Sequence, residues 1–339
     1  MSARLRRRRR ADPGAEVDAI AGVTERLAVL LAAGVPAANA WRYVSIGPRA
    51  EPAPGRAGRE RHAHVDEPVE PSPDECILAA AEAAAAAGDD VVEAIERARA
   101  EQPGAAPTWA VLAAAWSVAA EAGAPLAASL RSLALVLRDE AQLRRDVGTA
   151  LAGPAASARL VSALPVVALG FGSLLGFDTV GVLVGNPLGL ACLALGVLFL
   201  WAGARWNRRL ARSASVSRAD AGLELELLAI AMSSGASVDR SRDLARRAMR
   251  RHLSLGGGDN AVDGVVELAA RAGAPVAELL RAEAFRVRRA ARTEGESRAA
   301  ALGVRLMLPL GLCVLPAFVL LGVAPLMISV VTGTLGGAM

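Results

Sequence analysis

Glu121–Arg131 reads Glu-Ala-Gly-Ala-Pro-Leu-Ala-Ala-Ser-Leu-Arg, and the stretch returns 150 positions later at Arg271–Arg281 as Arg-Ala-Gly-Ala-Pro-Val-Ala-Glu-Leu-Leu-Arg. Seven of the eleven positions are identical, including the Gly-Ala-Pro core. Gly permits the left-handed conformation that ends a helix, and Pro suits the first position of the next helix. The chain therefore contains one predicted helical hairpin twice, with turns at Gly123–Pro125 and Gly273–Pro275.

A second repeated segment supports the duplication. Leu27–Pro36, Leu-Ala-Val-Leu-Leu-Ala-Ala-Gly-Val-Pro, aligns with Leu228–Ser237, Leu-Ala-Ile-Ala-Met-Ser-Ser-Gly-Ala-Ser, at an offset of 201. Its predicted turn residues are Gly34 and Pro36 in the first copy and Gly235 in the second. Because this offset exceeds the other by 51, the first copy should carry an insertion of about that size.

Residues 46–74 supply part of that insertion. Six prolines fall there among Gly, Arg and Glu, a composition that buries too little apolar surface to order itself. His62 and His64 also lie in this segment, and we interpret them as solvated loop side chains rather than as a two-histidine metal site. Helical periodicity returns over residues 76–87 and 89–100, with Asp89 as the expected N-cap.

Three long runs without charge predict membrane spans. Residues 160–177 extend about 27 Å as a helix, close to the roughly 30 Å of a bilayer's hydrocarbon core. Asp178 then interrupts, a second uncharged run follows, and a third occupies residues 306–339. We expect transmembrane helices over residues 158–178, 184–204 and 304–331.

The placement of the arginines predicts the orientation of these spans. Arginines cluster before the first span, after the second and before the third, whereas the loop between the first two spans and the C-terminal tail have none. The N-terminus and the helical regions 16–157 and 215–303 are therefore expected in the cytoplasm, and the C-terminus on the outer side of the membrane. The basic arm, residues 1–15, is expected to be disordered. We expect it to contact anionic lipid headgroups or to help fix the membrane orientation, rather than to bind nucleic acid.

The composition agrees with a helical fold. Hydrophobic residues make up 53% of the chain but aromatic residues only 3%, and the abundant Ala and Leu favour helices over strands. The predicted class is an all-α membrane protein. It has two cytoplasmic antiparallel helical-bundle domains, which form the internal repeat, and three transmembrane helices.

Motifs for catalysis or metal binding are not found. The sequence contains no P-loop, no Gly-x-Ser-x-Gly elbow, no zinc-protease helix and no CxxC. The three cysteines, Cys76, Cys192 and Cys313, are too widely spaced for a zinc site and are interpreted as small apolar side chains. We expect no enzyme activity, no cofactor and no metal.

Neighbouring carboxylates in the sequence are not interpreted as catalytic pairs. Asp139 with Glu140 and Glu224 with Glu226 do not face each other on a helix, so we expect these side chains to be solvated. His252 lies at a basic helix end.

The order of helical region, two spans, helical region and one span resembles the type II secretion system F family, the inner-membrane platform proteins. The segments at residues 30–36 and 121–130 look like that family's helix-turn signatures. Ala158–Pro165, with the Asn186-Pro187-Leu-Gly run, is similar to the TadB/TadC branch of tight-adherence pili. The resemblance begins near residue 17 and covers nearly all of the chain that follows. The second helical region departs from it, with about four helices instead of six, as does the Pro-rich insertion.

The resemblance implies a non-enzymatic platform subunit of a type II secretion or Tad/Flp pilus machine, which couples a cytoplasmic secretion ATPase to pilin assembly. The implied partners are that ATPase, pilin or prepilin, an identical or paralogous platform subunit, and membrane lipids. Positions where such a motor could dock are Arg131, Arg138, Asp139, Arg281 and Arg288. Residue by residue, a solvated charged face is the simpler interpretation.

Two other functions stay open, a small multi-span transporter and a membrane-tethered adaptor. Transporters usually place ionisable residues or broken helices at mid-membrane. The predicted spans carry no ionisable residue at that depth, which favours the platform interpretation.

Overall fold

The computed structural model describes residues 12–46, 71–102, 104–174, 187–214, 222–253, 259–305 and 310–325, together with positions 181, 184, 185, 308 and 327. Helices make up the regular structure in these ranges, which contain no strand, as the predicted all-α class requires. The chain forms two compact units. The first comprises residues 1–144 and 219–290, and the second comprises residues 145–218 and 291–339.

The described part of the first copy contains six helices. They are α1 (Ala15–Ala32), α2 (Ala37–Ile46), α3 (Pro73–Ala87), α4 (Val91–Glu101), α5 (Thr108–Ala122) and α6 (Leu126–Leu174). Helix α3 begins with a capping box, in which Ser72 and Glu75 satisfy each other's backbone N–H groups.

Helix α4 is capped by Asp90, so the prediction of Asp89 as its N-cap is wrong by one residue. The Asp90 carboxylate accepts hydrogen bonds from the backbone N–H groups of Val92 at 2.8 Å and Glu93 at 3.3 Å. An N-cap side chain must lie directly before the first helical residue to reach these donors. The helix begins at Val91, and only Asp90 meets that condition.

The second copy has four described helices after α7 (Pro187–Ala214). They are α8 (Leu223–Met232), α9 (Val238–Ala248) with its π-helical continuation π1 (Met249–Leu253), α10 (Asp259–Ala272) and α11 (Val276–Arg305). The chain continues with π2 (Leu310–Val314), α12 (Leu315–Phe318) and π3 (Val319–Val323). Only residues 254–258 separate π1 from α10. Helices α3 and α4 therefore belong to the extra length of the first copy.

Helix α5 is the centre of the first unit. Ten of its residues are buried, and a helix that is apolar all round belongs in a core. It contacts α1 and α4 of the first copy, and α8, α9 and π1 of the second. The prediction of two separate bundles is therefore corrected, because both copies cover the same central helix and share one core.

The copies differ where their second helices meet this core. Trp41 on α2 is fully buried and lies 5.4 Å from Trp116 on α5, measured between ring centroids. The equivalent of Trp41 in the second copy is Arg242, whose Nη2 lies 2.6 Å from the Asp263 carboxylate on α10. Helix α3, which packs against α2, covers the first copy at this point and has no counterpart in the second.

One described helical stretch is long and apolar enough to cross a membrane. Gly189–Asn207, within α7, has a mean hydropathy of 1.6, and 17% of it is buried. It overlaps the second predicted span, residues 184–204. Helix α5, also apolar, is short and lies in the core of the first unit.

The other two predicted spans remain predictions. Helix α6 runs without a break from Leu126 through Pro154 and Pro165 to Leu174, and residues 175–178 of the first predicted span lie outside the described residues. The third contains a short apolar segment, Gly311–Val323.

In the second unit, α7 packs closely against α12 and its flanking π-helical turns. Gly196 makes this approach possible, because a Cβ at that position would lie only 2.4 Å from Cγ of the buried Leu321. A separation of that size is shorter than any real carbon contact, so a larger residue would force the two segments apart.

Replacing Gly196 tests this packing. We expect Gly196→Ala to lower the thermal unfolding midpoint of the detergent-purified chain, because forcing an extra carbon into a packed contact costs about 1–3 kcal/mol. Gly311→Ala is the matched control, since its Cβ would meet nothing within 4 Å. Equal midpoints for the two variants would show that α7 and Leu321 do not pack in this way.

Candidate interaction site: two equivalent ion pairs

The second copy contains a buried ion pair. Glu226 on α8 is 1% exposed. Its Oε1 accepts a hydrogen bond from Ser132 Oγ of α6 at 2.5 Å, and its Oε2 accepts one from Arg288 Nη1 of α11 at 3.2 Å. Burying a charge is costly unless it is paired and hydrogen-bonded. Both oxygens of this carboxylate have partners, one from each copy.

The first copy has an ion pair of the same kind near its surface. Arg138 on α6 donates from Nε to Glu25 Oε2 on α1 at 3.1 Å, and from Nη2 to the same oxygen. Both side chains are nearly half exposed. The hydrogen bond to Glu25 raises the pKa of Arg138 above its ordinary value. On α11, a similar bond from Arg286 lowers the pKa of Glu283.

The two ion pairs occupy equivalent positions in the repeat. The offset of 201 that aligns Gly34 with Gly235 carries Glu25 to Glu226, and the offset of 150 at the Gly-Ala-Pro match carries Arg138 to Arg288. Each pair joins the first helix of its copy to the last. The two offsets come from separate sequence matches, and each carries one member of the first ion pair to one member of the second.

The predicted turn residues all lie at helix junctions. Gly34, Gly123, Gly235 and Gly273 have φ values of +83°, +70°, +83° and +63°, a left-handed conformation that L side chains rarely adopt. The prolines Pro36, Pro125 and Pro275 precede α2, α6 and α11, and their carbonyls accept the first hydrogen bonds of those helices.

The predicted partner-contact residues fall on two helices. Arg131 and Arg138 are seven residues apart on α6, as are Arg281 and Arg288 on α11, so each pair follows one helix face. Asp139, next to Arg138, is exposed, and so is Arg131. Arg281 lies 2.7 Å from Glu278. Arg288 offers little surface to a partner, because its side chain is only 20% exposed and binds Glu226.

The interpretation of Glu226 as a solvated side chain is wrong, and His252, which does lie at a basic helix end, is buried as well. Glu226 was expected to be solvated, but helix periodicity within one copy does not reveal that the other copy covers α8. His252 has a 2% exposed side chain, and its Nδ1 lies 3.0 Å from Glu96 Oε1 on α4. The sequence does relate these residues: the repeat offsets of 201 and 150, when applied to charged residues as well as to the turns, carry Glu25 to Glu226 and Arg138 to Arg288.

Some predicted features cannot be placed. His62 and His64 lie outside the described residues. Within the described ranges, no group of three or more His, Cys, Asp and Glu side chains is arranged to hold a metal ion. The three cysteines are unpaired in the described structure, with Cys313 buried and Cys76 and Cys192 half-buried.

Removing each glutamate in turn tests the different burial of the ion pairs. Glu226→Ala leaves Arg288 partly buried without its partner, and breaking a buried pair costs about 3–5 kcal/mol. Glu25→Ala removes the exposed equivalent, for which about 0–1 kcal/mol is usual. We expect denaturant unfolding of the full chain in detergent to show a large loss of stability for Glu226→Ala and little for Glu25→Ala. Equal losses would contradict the burial of Glu226.

Residues 23–174 match the family model for the type II secretion system (T2SS), protein F. The matched range begins within α1 and ends with α6, so it includes the C-terminal part of α1, helices α2 to α6 and the Glu25–Arg138 pair. No curated protein and no solved structure gave a match to the chain. The family consists of inner-membrane proteins that are generally non-catalytic. Over its first copy, the chain is thus similar to the platform proteins of type II secretion and type IV pilus systems.

Proposed function

We propose that the protein is a non-enzymatic inner-membrane platform subunit of a Tad/Flp pilus or type II secretion machine, and that it couples a cytoplasmic secretion ATPase to pilin assembly. The observation that carries this proposal is the T2SS protein F match over residues 23–174. The apolar stretch Gly189–Asn207 supports a membrane location, since it is long enough to cross a bilayer.

The proposed layout has three spans, with both copies in the cytoplasm and the C-terminus outside. The arginine distribution supports this orientation, because basic residues flank the cytoplasmic ends of membrane helices. The ATPase would dock on the shared cytoplasmic unit, where Arg131 and Asp139 are exposed on α6. Pilin or prepilin helices would contact the spans, and anionic lipids would contact the basic arm.

A continuous helix offers a path from the cytoplasmic hairpin to the first predicted span. Helix α6 contains 49 residues, roughly 70 Å at about 1.5 Å per residue. It begins directly after the Gly123 turn and runs to Leu174. Helix α11 follows the Gly273 turn in the same way and ends at Arg305, where the third predicted span begins. Displacement of either hairpin by a motor would be passed along these helices.

A double substitution of the hairpin glycines tests this transmission. We expect Gly123→Val with Gly273→Val to abolish surface pili, because a β-branched residue strongly disfavours the positive φ at both positions. The control is Gly123→Asn with Gly273→Asn, since Asn tolerates the left-handed region. Pili are counted by electron microscopy, and immunoblots confirm that both variants reach the membrane in equal amounts. Normal piliation in the valine variant would mean that the hairpins serve only as scaffold.

Deletion of the gene tests the function as a whole. The platform proposal requires loss of surface pili and co-purification of the full chain with a hexameric ATPase from detergent-solubilised membranes. Normal piliation together with loss of a solute flux would favour a transporter instead. Normal piliation with neither an ATPase nor a pilin associated would favour an adaptor.

A further inference from the structure

The first helices of the two copies have equivalent sequences but unequal burial. Helix α8 is covered on nearly all sides, and its Leu223, Glu226, Leu227 and Ile230 are at most 3% exposed. The equivalent positions on α1 form an open face, Gly22, Glu25, Arg26 and Val29. Val29 is 55% exposed, Arg26 is exposed, and a Cβ added at Gly22 would meet nothing within 4 Å.

Helices α5 and α6 of the first copy cover α8. Helix α5 packs against it, and Ser132 on α6 reaches the Glu226 carboxylate. The first copy therefore provides a binding surface for the first helix of the second copy. Within the described residues, the second copy does not provide the same cover for α1, whose exposed face remains open.

The helices equivalent to α5 and α6 in the second copy are α10 and α11. An apolar residue on α10 is exposed at a position where its equivalent on α5 is buried. Leu268 on α10 is 48% exposed, whereas its equivalent on α5, Val118, is 1% exposed. Glu267, next to Leu268, has a side chain that is 71% exposed. Val29 and Leu268 are thus exposed apolar residues whose equivalents in the other copy, Ile230 and Val118, are buried, and Arg26 and Glu267 carry opposite charges beside them.

We propose that the open face of α1 docks on α10 and α11 of a second copy of this chain. The contact would repeat, between chains, the packing of α8 on α5 and α6 within one chain. It would be head-to-tail, because the two surfaces belong to different copies of the repeat, and such contacts build rings or open arrays rather than twofold dimers. It would also cover the Glu25–Arg138 pair, as Glu226–Arg288 is covered inside the chain.

The repeat also provides a control position. Leu135 on α6 and its equivalent Phe285 on α11 are 64% and 53% exposed. Because this position is open in both copies, neither residue takes part in the packing of α8 on α5 and α6. Leu135 is at least as exposed as Val29. A cysteine at residue 135 should therefore be accessible, but it should not lie close to residue 268 of a second chain.

Disulfide cross-linking between differently tagged chains tests the proposal. In a full-length background with Cys76, Cys192 and Cys313 replaced by Ser, Val29→Cys with one tag is co-expressed with Leu268→Cys with another, and membranes are oxidised. We expect mixed dimers that carry both tags. We expect none above background for Val29→Cys with itself or for Leu135→Cys with Leu268→Cys. Immunoblots show whether each variant reaches the membrane.

Other outcomes overturn the proposal. Dimers of Val29→Cys with itself would indicate a twofold contact, and mixed dimers no more abundant than in the Leu135→Cys control would show that a second copy does not cover this face. As an independent measurement, Val29→Glu should reduce the oligomer mass of the otherwise unchanged chain by native mass spectrometry, whereas Leu135→Glu should not. Neither readout needs pili, so failure here is distinguishable from failure of the platform function.

Discussion

Helix α5 must be shielded from water on almost every side, because its residues are apolar all round. Neither copy of the repeat alone covers it. The first copy covers it with α1 and α4, and the second with α8, α9 and π1. Its many alanines keep it thin, which lets helices approach from several directions. The duplicated sequence consequently folds around one shared centre, and removing either copy would expose apolar surface of the other.

Polar contacts between the copies determine how they meet around this centre. Apolar packing is tolerant of sliding, whereas a buried carboxylate is stable only where donors reach it. Glu226 meets Ser132 of the first copy and Arg288 of its own. His252 meets Glu96 in a second contact between the copies. A shift of one copy against the other would leave these groups buried without partners.

Local features could be predicted from the sequence, and long-range ones only in part. The turn glycines, the helices on either side of them and the extra length of the first copy follow from short-range residue preferences and from the repeat. The sharing of one core does not, because periodicity shows that a helix has an apolar face but not which surface covers it. Glu226 illustrates the limit, since its burial depends on α6, nearly a hundred residues away. The two offsets nevertheless identify its partner Arg288 once the ion pair of the first copy is known.

The unequal burial of the two ion pairs gives them different responses to the solvent. Dissolved ions screen exposed charges over about 8–10 Å at ordinary salt concentrations, and screen buried charges much less. The Glu25–Arg138 attraction therefore weakens as ionic strength rises, while Glu226–Arg288 is shielded by the protein around it. Equivalent positions of the repeat therefore hold one ion pair that responds to salt and one that responds much less.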